Sequence, residues 1–227
     1  MSSMTPRDSD TGSLSVIRGA TEQDLNRMAS DMIQYLPDGL FPHLGKRFVR
    51  RWMKTFLTEQ HGVALVAVTN EGQYAGFLIG STNQIRHVSD VLANQKWVLL
   101  FSGLAALAIR PRVLLHFLYT RARPYARRLL GRTTTNPISS SSGSDVSPAV
   151  ITSLVVLPTM RREGFGRLLV DEFLKRAAAA QAPLAELATT AGEDGAGKFY
   201  EQLGWRRVKQ RFSKDGTLTH TYHRYLH

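Results

Sequence analysis

Leu154-Val155-Val156-Leu157-Pro158-Thr159-Met160-Arg161-Arg162-Glu163-Gly164-Phe165-Gly166-Arg167-Leu168-Leu169 is the stretch whose reading decides the fold. It is a buried-type strand, a proline that ends strand pairing, a basic turn, and then a helix. Gly164 and Gly166 let the backbone turn tightly and leave N–H groups uncovered by side chains. The helix N-terminus behind them adds unsatisfied donors and a positive dipole end. Arg161, Arg162 and Arg167 place formal positive charge around the same spot. Such an arrangement is built to receive a diphosphate. Phe165, Leu168, Leu169 and Phe173 follow helical spacing, which predicts an inner face packed on a sheet and an anion site that is largely preformed.

Outward from this unit the pattern stays regular. The strand begins near Ala149, the helix runs to Ala180, and a second strand is predicted over 184–189. A short helix over 195–203 is stopped by Gly204. Residues 206–212 and 218–225 read as two strands joined by the turn Lys214-Asp215-Gly216. Upstream, 14–18 alternates like a short strand. Thr21-Glu22-Gln23-Asp24 then opens a capped helix to about Tyr35, closed by Pro37-Asp38-Gly39. Residues 44–57 fit another helix, with Phe48, Trp52 and Phe56 at four-residue spacing. Two strand-like runs, 63–68 and 74–80, flank Asn70-Glu71-Gly72 and predict a hairpin. The fold expected is one α/β (α+β) domain over 14–227, a mixed central sheet flanked by helices, behind a disordered polar tail at 1–13.

Here the residues resemble a known family. Arg161, Gly164 and Gly166 fill the acetyl-coenzyme A motif of the GNAT (Gcn5-related) N-acetyltransferases: Arg or Gln, two residues, Gly, one residue, Gly or Ala. The strand and Pro158 before it match as well. Downstream, Phe199-Tyr200-Glu201-Gln202-Leu203-Gly204-Trp205 resembles the family's aromatic-Tyr pair ahead of a Gly-aromatic step. One departure is Glu193, where many members carry Asn. The resemblance implies acetyl-coenzyme A as acyl donor, without a metal. Its binding residues would be Leu154, Val155, Val156, Arg161, Arg162, Glu163, Gly164, Phe165, Gly166 and Arg167. It further implies a splayed strand whose backbone N–H groups hold the thioester carbonyl, with Val156 at the oxyanion, and Tyr200 as general acid towards the coenzyme sulfur. The acceptor expected is the primary amine of a small metabolite.

Composition bounds the alternatives. The chain has 227 residues, 43% hydrophobic and 21% charged, enough apolar material for a real core. Cysteine is absent, which excludes disulfides, thiolate zinc sites and a cysteine nucleophile. The polar first 13 residues carry no secretory pattern, so a cytoplasmic enzyme is expected. A net charge of +11 favours anionic partners, whether a phosphorylated coenzyme, nucleic acid or an acidic membrane.

No general base stands out. Glu186, Asp145, Glu59 and His61 are conceivable, each read more simply as a surface residue. His220 and His223, three apart on a strand, point to opposite faces and do not suggest metal. Phe41, His43 and Trp52 fit either an acceptor pocket or the core. Residues 84–148 form a basic, partly helical insertion that ends in a Ser-rich loop. Its run 97–109 is apolar except Ser102 and too short to span a bilayer; arginines punctuate 110–132. Three readings stay open for it: a helical lid, a peripheral membrane dock, or an RNA-binding surface. An RNA-dependent acyl or aminoacyl transferase or RNA-binding module, a non-catalytic coenzyme-binding regulatory domain and a homodimer also stay open.

Overall fold

The computed structural model describes residues 16–37, 40–94, 147–192, 196–212 and 217–226. Seven strands form one mixed sheet in the order β1-β2-β3-β4-β5-β7-β6. They are β1 (Val16–Gly19), β2 (Gly62–Val68), β3 (Tyr74–Ser81), β4 (Ala149–Val156), β5 (Leu184–Thr190), β6 (Arg206–Phe212) and β7 (Leu218–Tyr225). The helices are α1 (Leu25–Tyr35), α2 (Leu40–His43), α3 (Lys46–Thr58), α4 (Gln84–Asn94), α5 (Phe165–Ala179) and α6 (Gly197–Gln202).

Two apolar layers sandwich the sheet. On one face α5 buries Phe165, Leu169, Val170, Phe173, Leu174 and Ala177. Leu168 lies outside that face, 37% exposed, so the inner stripe of α5 continues through Val170 instead. On the other face α1 and α3 bury Leu25, Met28, Met32, Val49, Met53 and Phe56 against Val66, Phe77, Ile79 and Val155. Phe41 and Trp52 belong to this layer: Phe41 stacks on Trp52 at 4.3 Å, and Trp52 meets Phe56 edge-on at 5.2 Å. That is core packing, worth roughly 0.5–1.5 kcal/mol per aromatic pair beyond area burial.

Local chemistry explains most element boundaries. The start of α1 is held by Asp24, whose carboxylate accepts bonds from the Thr21 amide and hydroxyl, both at 2.8 Å. This is the reach-back half of a capping box. Arg18 forks onto the same carboxylate at 2.7 and 2.8 Å. Its guanidinium, with the Thr21 bonds, holds the Asp24 carboxyl down at about 2 despite burial. The helix expected from Leu44 starts later, at Lys46, because Gly45 adopts φ +91 and separates it from α2. The hairpin turn between β2 and β3 is confirmed, with Gly72 at φ +76. The Lys214-Asp215-Gly216 turn lies outside the described residues, but β6 and β7 pair antiparallel as expected. Of the insertion, α4 is described. Residues 95–146, which include the apolar run and the arginines, lie outside the described residues.

Candidate active site

The site is organised by how β4 pairs. On one side it runs antiparallel to β3 along its length, from Ser81↔Val150 to Gly76↔Val156. On the other it pairs parallel with β5 at three positions, Ala149↔Ala185, Val150↔Glu186 and Ile151↔Leu187. Beyond Ile151 the two strands part. The register against β3 shifts at the same place, since Ile79 faces Ser153 while Gly80 faces Ile151. Thr152 is therefore the extra residue of a β-bulge, which bends the strand and reverses the facing of the residues beyond it.

The parted strand presents unused backbone. The Leu157 amide donates to the Ala75 carbonyl at 2.9 Å. Backbone groups alternate sides along a strand, so the amides of Val155 and Leu157 face β3, while those of Leu154 and Val156 face the gap. The Val156 carbonyl also faces the gap and accepts the Arg161 Nε at 3.3 Å. Of the three strand residues expected at the thioester, two thus offer an amide to the opening. Val155 instead turns its amide to β3 and its side chain into the α1/α3 core.

The loop from Arg161 to Gly166 closes the same end of the gap. Arg162 at φ 68 and Gly164 at φ 86 both adopt left-handed backbone. The bend at Gly164 is free for glycine, whereas Arg162 stores about 1 kcal/mol or more of strain. The first helical bond of α5 runs from the Leu168 amide to the Gly164 carbonyl at 3.1 Å. The amides of Phe165, Gly166 and Arg167 accordingly have no partner within the helix and sit at its positive dipole end. Arg161, Arg162, Glu163 and Gly164 are exposed while Phe165 is buried, so the core anchors the loop and the loop faces solvent. Arg167 is largely exposed and lies 3.6 Å from Asp171, a surface pair of small energetic weight.

Gly166 joins the loop to the rest of the site. A Cβ built there would lie 3.2 Å from the Phe199 ring and 3.6 Å from Val156 Cγ2. The end of β4, the start of α5 and the helix α6 therefore meet at one point. Tyr200, next to Phe199, is buried in the α5-side cluster among Trp205 and Tyr222. Burial raises its phenol well above the usual tyrosine range, so it stays protonated throughout the physiological range.

Glu186 differs from its expected surface role. It is half-buried and lies 2.8 Å from His223 Nε2, a contact made when β5 and β7 pair in register. His220 turns the other way, towards the Tyr222 ring, as the strand alternation requires. Glu59 and His61 lie in the turn just before β2. Asp145 and Glu193 lie outside the described residues.

Residues 135–226 match the family described as the acetyltransferase (GNAT) domain. That stretch, which runs through β4, α5, β5, α6, β6 and β7, matches a GNAT acetyltransferase domain. Solved structures share the fold. Ard1 from Thermoplasma volcanium shares 16% identity over 94% of this chain and 98% of its own, with a TM-score of 0.53. NAA60 of Arabidopsis thaliana, solved in complex with acetyl-CoA, shares 14% identity over 93% and 98%, at 0.55. The ribosomal-protein-S18-alanine N-acetyltransferase of Escherichia coli shares 14% identity over 94% of each chain, at 0.51. No curated protein matches in sequence. The loop of Arg161 to Arg167 lies within the matched residues.

Proposed function

We propose that this chain moves the acetyl group of acetyl-coenzyme A to the primary amine of a small metabolite by direct attack. One observation carries the reading: β4 parts from β5 after three residue pairs, beside a helix N-terminus ringed by arginines. The gap has the chemistry of a thioester arm site, with amides along one wall and an anion loop at its mouth. When bound, the coenzyme supplies an activated acyl group.

This chain's residues do the remainder. The Leu154 and Val156 amides would donate to the thioester carbonyl, more strongly as oxyanion charge develops. Val156 is assigned the main contact. Arg161, Arg162, Arg167 and the free α5 amides would hold the diphosphate, with Glu163, Gly164 and Gly166 shaping the loop. Tyr200 would give its proton to the departing sulfur; its neighbour Phe199 places this turn of α6 against Gly166 at the loop. The solved relatives add support in kind: one holds acetyl-CoA, and another is named for acetylating an alanine of a ribosomal protein.

Thermal-shift measurement tests the donor half. Acetyl-coenzyme A at about 100 times its Kd should stabilise the chain by about 2.7 kcal/mol, seen as a clear rise in Tm. Absence of any rise would sink the proposal. A second reading concerns location: a cytoplasmic enzyme docked at the membrane edge through 97–132. Ile85, Val88 and Leu92 on α4, all exposed, lead into that segment and favour it. Sedimentation with acidic liposomes should remove the chain from solution, and a variant without 97–130 should stay. Indifference to lipid removes this reading, and a salt-sensitive gel shift with transfer RNA would replace it.

A further inference from the structure

The sheet ends on an open strand. β6 stands at one edge of the order β1-β2-β3-β4-β5-β7-β6 and pairs along its length with β7. The peptide groups on its other side have no strand partner among the described residues. Every residue from Arg206 to Phe212 is exposed. An edge of this kind is a template for one more strand.

Charge sets this edge apart. Arg206, Arg207, Lys209 and Arg211 are four of its seven residues, and no acid lies among them. Among the described residues Arg206, Arg207 and Arg211 form no ion pair. The opposite edge of the sheet differs: β1 carries one cation, Arg18, and Asp24 already holds it.

The register against β7 sorts these side chains. Arg207 pairs with Tyr222, which is buried on the α5 side, so Arg207 lies on that face. Pairing then passes to Lys209↔Thr221, which leaves Val208 as the extra residue of a bulge. Arg206, Lys209 and Arg211 pair with His223, Thr221 and Thr219 and so share the other face. The regular run beyond the bulge, from Lys209 to Phe212, is the part that a new strand could pair with. Val208 and Phe212 add exposed apolar surface, 49% and 67% accessible.

We propose that the free edge of β6 binds an extended acidic segment of a partner protein as an added strand. Main-chain bonds along Lys209 to Phe212 supply the pairing, and the four cations select carboxylate side chains. A second copy of this chain is a poor occupant, since β6 against β6 would set like charges together. A nucleic acid would use the cations and leave the edge's alternating donors and acceptors unmatched. The net charge of +11 steers acidic partners towards the chain in general, and this edge gives them a place to order. β5 and β7 stand between β6 and the β4 gap, so the proposal does not depend on acetyl transfer.

Fluorescence anisotropy of the full chain with a labelled peptide of alternating glutamate and valine tests it. The peptide should bind with a Kd below about 100 μM. The same peptide with lysine for glutamate should not bind. A version methylated at every backbone nitrogen keeps the charges but donates nothing to a ladder, and should bind about tenfold more weakly or worse. Arg206→Glu and Arg211→Glu should each weaken the peptide about fivefold or more with an unchanged Tm, both side chains being exposed. Hydrogen exchange at residues 209–212 should slow when the peptide binds. No binding, equal binding of the methylated peptide, or unaltered exchange at 209–212 would each overturn the proposal. Tighter binding of a single-stranded uridine oligonucleotide of equal charge would overturn it in favour of nucleic acid.

Discussion

The two faces of the sheet are built on different principles. The α5 face takes its helix, phosphate loop and preceding strand from one unbroken run of sequence, 149–179. The α1/α3 face is gathered from α1, α3 and one side of three strands, and a cavity on it, lined by α1 and by Leu157 to Thr159, joins residues more than a hundred positions apart. The donor half of the molecule is therefore local and the other half is long-range. The difference teaches where a substitution should act globally, where it should act on coenzyme or rate, and where it should act on neither.

The comparison is broken most sharply at Phe173. This fully buried ring anchors α5 and reaches the Gly80 position. Phe173→Ala should cost about 3–5 kcal/mol of stability by chemical denaturation. Loss of less than about 1 kcal/mol would mean that the α5 layer is not what fixes the loop.

Next comes Tyr200→Phe, which removes one oxygen from the same layer. Turnover should fall by about 10²-fold, with acetyl-coenzyme A affinity by titration nearly unchanged. An unchanged rate would return Tyr200 to core packing alone.

The opposite face is sharpened by acid. Asp24 is depressed by its Arg18 partner, so its contribution is present above the unfolded carboxylate range and lost as pH falls through about 2. Asp24→Asn should lower neutral-pH stability by about 1–2 kcal/mol, allowing for the part-exposed Arg18, and flatten the decline between pH 4 and 2. An unaltered acid profile would show that the pair is idle. The smallest effect is expected at Gly164→Ala. Its φ of +86 strains any side chain by about 1 kcal/mol, and the coenzyme KM should rise several-fold while turnover at saturation holds.

The same division governs how much of the molecule is legible in its sequence. The strand, Pro158, loop and α5 can be read because each signal lies within a few residues of the next. The GNAT resemblance rests on that contiguity. Leu168 reads as an inner-face residue because helical spacing alone does not show which flank the sheet covers. The bulge at Thr152 and the loss of β5 beyond Ile151 carry no local signature, since pairing depends on residues 36 and more positions away. The Glu186–His223 contact is hidden for the same reason: it exists through the β5–β7 register alone.

The brevity of the β4–β5 ladder has a mechanical side. Four strands, β1 to β4, form one leaf, and β5, β7 and β6 form another, stitched by three residue pairs at one end. The far half of β4 is a cantilever, held along one edge by β3 and free along the other. Gly76 lies on that supporting seam, where any Cβ would press within 2.3 Å of the Val155 carbonyl. A side chain there would act as a wedge behind the beam and push its amide-bearing edge towards the gap. The width of the opening is thus set from behind, by a residue that never faces it.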